Sequence, residues 1–186
     1  MKKITRDFLR KQEACEDGYK WWCKNCEGLS NIEQIKKLAQ HRFDWANWLI
    51  VRILNHKQRL QYAVFAAEQV IDIYEKKYPN DNRPRKAIEA AKKCIKRNSK
   101  YNIDAAYNAA AAVAAVYAAY ADADYDACYA SYYACAAAYT AYDAAYYADD
   151  AAYTAAYDAA ACAVNVDNKY EKDIINYGIK LIEVKE

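Results

Sequence analysis

The chain has 186 residues, 55% of them hydrophobic, and a formal net charge of +2. That is enough for one well-buried domain, and the near-neutral balance names no class of partner. The opening MKKITRDFLRKQEACEDGYKWW is charged throughout and has no apolar signal region, so secretion is disfavoured. Seven Cys, an odd number, favour reduced thiols in a cytoplasm over a disulfide framework.

Taken in order, Thr5 is placed to cap a first helix carrying Phe8, Leu9 and Ala14, with Gly18 either a break or a close-packing point. Gly28 punctuates, and Ser30 with Glu33 forms a capping box that opens a helix through Ile32, Ile35 and Leu38. Asp44 is the expected cap of the next helix, whose Trp45, Trp48, Leu49, Arg52 and Ile53 form one stripe. Residues 1–55 are expected to be an N-terminal helical subdomain, because the composition changes sharply afterwards. Cys23 and Cys26 make a single CxxC, with Cys15, His41 and His56 nearby in sequence. A structural zinc needs two close ligand pairs and only one is present, so no metal is expected.

From Leu60 onward, Tyr62, Phe65, Ala66, Val70, Ile73 and Tyr74 give a helical apolar stripe closed by Pro79. The turn PNDNRPR follows, and Pro84 opens a helix predicted to run through Ile88, Ala91 and Ile95 to Asn98. Glu68 lies inside the apolar stretch and needs a partner. Arg83 and Arg85 at the turn can supply one in bidentate form. The structural reading is an ion-paired turn between antiparallel helices; the alternative is a pocket built on Glu68, Arg83 and Arg85. No Ser/His/Asp or Cys/His constellation accompanies these residues, so no catalytic residue and no cofactor is expected.

Residues 101–168 contain 30 Ala, 14 Tyr and nine Asp, with no Lys, Arg, Gly or Pro. Ala has the highest helix propensity, so helix is the reading throughout. One unbroken helix of about 60 residues would span about 90 Å, so breaks are expected, at Asp122 to Asp126 and Asp149 to Asp150. Tyr125, Tyr132, Tyr139, Tyr146 and Tyr153 recur at intervals of seven, flanked by Asp143 and Asp150, while the opposite face is nearly pure Ala. The Ala side is expected to dock on a neighbouring helix. The Tyr and Asp side is either the bulk of a helical core or an acidic aromatic binding surface. Charge motivates the second reading: all 27 Lys and Arg lie outside this block against 16 other acids, giving about −9 within it and about +11 elsewhere. A membrane span over Ala105 to Ala121 is rejected, since Ala and Tyr are weakly apolar, Asn108 interrupts and the run is short. The segment KYEKDIINYGIKLIEVKE at 169–186 is predicted to form a C-terminal docking helix with Ile174, Ile175, Ile179, Leu181 and Ile182, interrupted or kinked at Gly178.

The run AAEQVIDIYEKKYPNDNRPRKAIEAAKKCI resembles the signature of an all-helical immunity protein family from bacterial toxin systems. Its matching positions are Glu68, Glu75, Pro79, Asp81, Arg83, Pro84, Arg85, Ile88 and Glu89, and the resemblance covers about residues 57–163. The Ala-rich part departs from that family in carrying Tyr and Asp. The first 55 residues fall outside it, and their ACEDGYKWW and DWANWLIVRIL look like openings of uncharacterised phage-encoded small proteins.

These readings predict an all-α chain, a multi-helix bundle of antiparallel helical hairpins with an Ala/Tyr-rich core, whose residues 56–168 are the immunity-protein-like part. The resemblance implies a non-enzymatic binding protein that neutralises a protein partner, a toxin or, for a phage source, a host defence component. The partner-binding residues would be Tyr125, Tyr132, Tyr139, Asp143, Tyr146, Asp150 and Tyr153. The alternative is a small-molecule or nucleotide binder with a Tyr/Arg-lined pocket near Arg83 and Arg85. Direct nucleic-acid binding is disfavoured by the acidic block, although Arg83, Arg85, Lys86 and Lys92 to Lys100 offer basic charge. Self-association through the Ala-rich helices stays open.

Overall fold

In the computed structural model, the described residues are 3–120, Tyr132, Ala138, Tyr157 and 168–184. Among them every regular element is helical, as expected: α1 Arg6–Lys11, α2 Glu16–Asn25, α3 Asn31–His41, α4 Phe43–Ile53, α5 His56–Lys77, α6 Arg83–Lys96, α7 Lys100–Tyr120 and α8 Glu171–Glu183, the last preceded by a 3-10 turn, Asn168–Tyr170.

The helix ends follow local chemistry. Thr5 accepts from the Phe8 N–H at 3.2 Å to start α1, and Ser30 and Glu33 close a reciprocal capping box on α3. A second such box, not anticipated, joins Asn55 and Gln58 at the start of α5. Gly28 takes φ +84°, the left-handed conformation that glycine adopts without strain, and separates α2 from α3. Asp44, expected as a cap, instead lies in the first turn of α4 and is held by Arg42, whose Nε and Nη2 donate to it at 2.9 and 2.6 Å. An acid there suits the positive end of the helix dipole. α6 stops at Lys96, two residues short of the expected Asn98. Ser99 precedes α7 and its hydroxyl accepts from the Asn102 N–H at 3.3 Å, while the Asn102 side chain reaches back to donate to the Arg97 and Lys93 carbonyls at 2.7 and 3.3 Å.

Packing produces one continuous core. α4 buries Ala46, Leu49, Ile50, Val51 and Ile53, and α5 buries Leu60, Tyr62, Val64, Val70, Ile71 and Tyr74. α6 and α7 form the most extensive helix pair, a close antiparallel hairpin made from small side chains: Ala87, Ala91 and Cys94 on α6, and Ile103, Ala106, Ala110 and Val113 on α7. Small residues let the two backbones approach closely. Ala138, on the predicted small face of the Ala-rich block, is also fully buried. The predicted breaks at 122–126 and 149–150 lie outside the described residues.

α8 lies against α5, α4 and α3. Gln58 Nε2 donates to the Leu181 carbonyl at 2.6 Å, and Tyr177 stacks on Phe65 with ring centroids 4.1 Å apart. The helix passes Gly178 without interruption, contrary to the expected kink; this glycine is a point of close contact with Ile50 and Tyr62. No helix among the described residues is long and apolar enough to cross a membrane.

Candidate functional site

The hairpin turn between α5 and α6 is built on charge. Asp81 binds Arg83 through Nε at 2.9 Å and Nη2 at 2.6 Å, and it accepts from the buried Tyr74 hydroxyl at 2.7 Å. The Arg83 guanidinium holds the Asp81 carboxyl well below the usual carboxylate range, and the Tyr74 hydrogen bond adds to this. Arg85 forks onto Glu75 at 2.7 and 2.6 Å and reaches Asp72 at 3.1 Å, which raises its own pKa and lowers that of Glu75. Glu68, predicted to pair with an arginine, pairs with Lys92 at 2.6 Å, which also contacts Glu89 at 3.1 Å. The three residues of the alternative pocket therefore sit in separate ion pairs, and the concavity at the turn is an open surface lined by Lys77 to Arg83.

Of the predicted Tyr and Asp face, Tyr132 alone is described. It is half-buried and packs against the core. Tyr125, Tyr139, Asp143, Tyr146, Asp150 and Tyr153 lie outside the described residues. Tyr157, four residues past Tyr153 of that row, is half-buried too, and its carbonyl accepts from Asn47 Nδ2 at 3.0 Å. Asn47 is fully buried, and its Oδ1 accepts from the Tyr62 hydroxyl at 3.0 Å, so one amide ties α4, α5 and Tyr157 together. Burial pushes the Tyr62 phenol upward, which keeps it a donor.

Around the CxxC, Cys26 is fully buried and its thiol pKa is raised by burial, whereas Cys23 is half-buried. His41 lies on Trp21 with ring centroids 4.5 Å apart and near-parallel planes. Among the described residues no three His, Cys, Asp or Glu side chains gather as metal ligands.

One site was not visible beforehand. A cavity of about 250 Å³ opens beside α2 and α4, with the rings of Tyr19, Trp22, Trp45, Trp48 and Tyr157 in its wall and Glu13, Cys15 and Asp44 among its polar groups. Gly18 faces Trp45 there, where a Cβ would stand 3.5 Å from the indole and 3.0 Å from Cys15 Sγ, so it is the close-packing point and not a break. Three of the rings already carry guanidinium groups: Arg10 over Tyr19 at 5.3 Å, Arg42 over Trp45 at 5.0 Å and Arg52 over Trp48 at 4.0 Å. The sequence signal was the density of Trp and Tyr at 19–22 and 45–48, of which only Trp45 and Trp48 were read, as part of one helical stripe.

An all-helical bundle with an ion-paired proline and arginine hairpin turn is the class of protein that the resemblance at 57–163 implied, a helical immunity protein. Residues 32–174 match the family model described as Immunity protein Imm5, and the chain belongs to that family. The match begins upstream of residue 57 and takes in α3 and α4, so the part of the chain inside the family is larger than the resemblance indicated. No curated protein and no solved structure matches the chain.

Proposed function

We propose that this chain is a non-enzymatic immunity protein that neutralises a toxin by stoichiometric binding. Membership of the Imm5 family over residues 32–174 carries this reading. The turn geometry supports it over the small-molecule alternative, because Arg83 and Arg85 are engaged by Asp81, Glu75 and Asp72. In this reading the Tyr and Asp row, Tyr125, Tyr132, Tyr139, Asp143, Tyr146, Asp150 and Tyr153, supplies aromatic anchors with an acidic rim. A block carrying nine Asp and no basic residue suits a basic partner surface.

The test is capture followed by rescue. Tagged protein is used to capture partners from lysates of toxin-bearing bacteria, and each captured protein is expressed alone and together with this chain. The expected result is a protein that arrests growth alone, is harmless in co-expression, and forms a complex of fixed stoichiometry by native mass spectrometry. Tyr139→Ala with Tyr146→Ala should weaken that complex while leaving the helical signal intact. A released metabolite with no protein partner would overturn neutralisation. A captured host defence component without growth arrest would redirect it to a different partner class.

A further inference from the structure

Ion pairing at the α5–α6 hairpin consumes some of the basic residues and leaves others over. Arg83 is held by Asp81, Arg85 by Glu75 and Asp72, and Lys92 by Glu68 and Glu89. Lys86, Lys93 and Lys96 on α6, Arg97 just past its end and Lys100 at the first position of α7 are all exposed and have no ion-pair partner among the described residues. Lys86 and Lys93 stand on one line of the helix, about 10.5 Å apart, and Lys96 follows within the next turn. Glu89 lies on the same side of α6 but is engaged by Lys92, and Asp104, exposed in α7, is the next acid along the chain.

Folding accounts for only part of this surface. Lys93 and Lys96 lie in the last turn of α6, where a cation suits the negative end of the helix dipole. Lys100 opens α7 at the positive end, where a cation is disfavoured. Beside it Tyr101 is 81% exposed, and its side chain makes no ring contact or hydrogen bond among the described residues. A flat ring turned to water among unpaired cations is the combination that holds single strands, with cations along the phosphates and the ring under a base.

We propose that this corner of α6 and α7 binds single-stranded nucleic acid, with Lys93, Lys96, Arg97 and Lys100 on the phosphates and Tyr101 stacked on a base. An acidic protein segment would use the cations and leave the ring idle. Asp104 and the rest of the Asp-rich block repel phosphate, which limits the footprint to a few nucleotides. The inference goes beyond neutralisation and does not draw on it.

The experiment titrates the full chain into a labelled thymidylate dodecamer and into an abasic dodecamer of the same phosphate charge, read by fluorescence anisotropy. Between about 50 and about 200 mM salt the thymidylate affinity should fall by about 60-fold, the slope that four phosphate contacts give on a single strand. The abasic strand should bind at least about fivefold more weakly at either salt concentration, the effect of one lost stack. Tyr101→Ala should erase that preference and keep the salt slope. Lys93→Gln with Lys96→Gln should flatten the slope by about 1.4 in log–log form and keep the preference. These side chains are exposed, so the helical signal by circular dichroism should be unchanged in both variants. Equal binding of the two strands, or a preference indifferent to Tyr101→Ala, would overturn the proposal in favour of a surface for any polyanion, an acidic protein included. Absence of binding at about 50 mM salt, or a slope indifferent to the lysine changes, would also overturn it. No toxin enters this titration, so its failure leaves neutralisation standing, and failure to capture a toxin leaves the strand preference as measured.

Discussion

Gly178→Ala tests how α8 is seated. A Cβ at position 178 would lie 2.9 Å from Ile50 Cγ2, 3.0 Å from Ile50 Cδ1 and 3.0 Å from Tyr62 Cε2. Neither neighbour can give way cheaply. Ile50 and Tyr62 are fully buried, and the Tyr62 hydroxyl is anchored to Asn47. Alanine would gain about 1 kcal/mol of helix propensity over glycine, against about 1–3 kcal/mol for overpacking a filled core. The clash should win, because three contacts at or below 3.0 Å put the overpacking cost in the upper part of that range, about 2–3 kcal/mol, for a net loss of about 1–2 kcal/mol. At about 2–4 °C per kcal/mol for a chain of this size, the melting temperature should fall by about 2–8 °C. Calorimetry or circular dichroism measures it. The same substitution in an Ile50→Ala background should cost less by about 1 kcal/mol or more, since the space it needs is then vacant. An unchanged or raised melting temperature in the wild-type background would refute the close approach of α8 to α4 and α5.

Asn47→Ala leaves the Tyr62 hydroxyl without its acceptor and the Tyr157 carbonyl without its donor, so it should cost about 2–4 kcal/mol in a urea titration, more than Tyr62→Phe. The double substitution should cost less than the sum of the two. The folded-state pKa of Asp81 is depressed, so its contribution to stability is present above the ordinary Asp value near 4 and is lost as pH falls below it. Asp81→Asn should therefore be less stable than the wild type at pH 7, and the gap should narrow in acid-denaturation curves below about pH 4. Alkylation with peptide mapping should label exposed Cys15 quickly and buried Cys26 and Cys94 only on unfolding. Rapid labelling of Cys94 would contradict the close packing of α6 and α7.

The parts of this fold legible in the sequence are those whose partners lie within a few residues. Thr5 to Phe8, Ser30 to Glu33, Gly28, Pro79 and Pro84 each act through the local backbone, and each stands where its chemistry placed it. Glu68 was correctly read as needing a cation, but two arginines at a turn looked better placed than Lys92, which the antiparallel hairpin brings alongside. Gly178 read as a kink because helix propensity is a local quantity, whereas the approach of Ile50, 128 positions earlier in the chain, is not. The amide of Asn47 joins Tyr157 across 110 residues, a pairing no spacing rule contains. The cavity was invisible for the same reason: its wall comes from α2, α4 and Tyr157.

Charge placement offers a way to find which pole of the chain would meet the proposed partner. The guanidinium groups at the turn are held by carboxylates, so an incoming anion would have to displace one of them. The nine Asp of residues 101–168 make that block the acidic pole of the sequence, while Lys86, Lys93 and Lys96 are exposed along α6, and Arg97 just past its end, as a basic one. Attraction between exposed charges governs association rates and is screened beyond about 8–10 Å at physiological salt. If a basic toxin docks on the acidic pole, added salt should slow association with little change in dissociation. Asp143→Asn with Asp150→Asn should then slow it further, and Lys86→Glu with Lys93→Glu should leave it unchanged or faster. The opposite pattern, with association slowed by the α6 charge reversals and indifferent to the Asp changes, would place the partner on the basic pole and refute the acidic-surface reading.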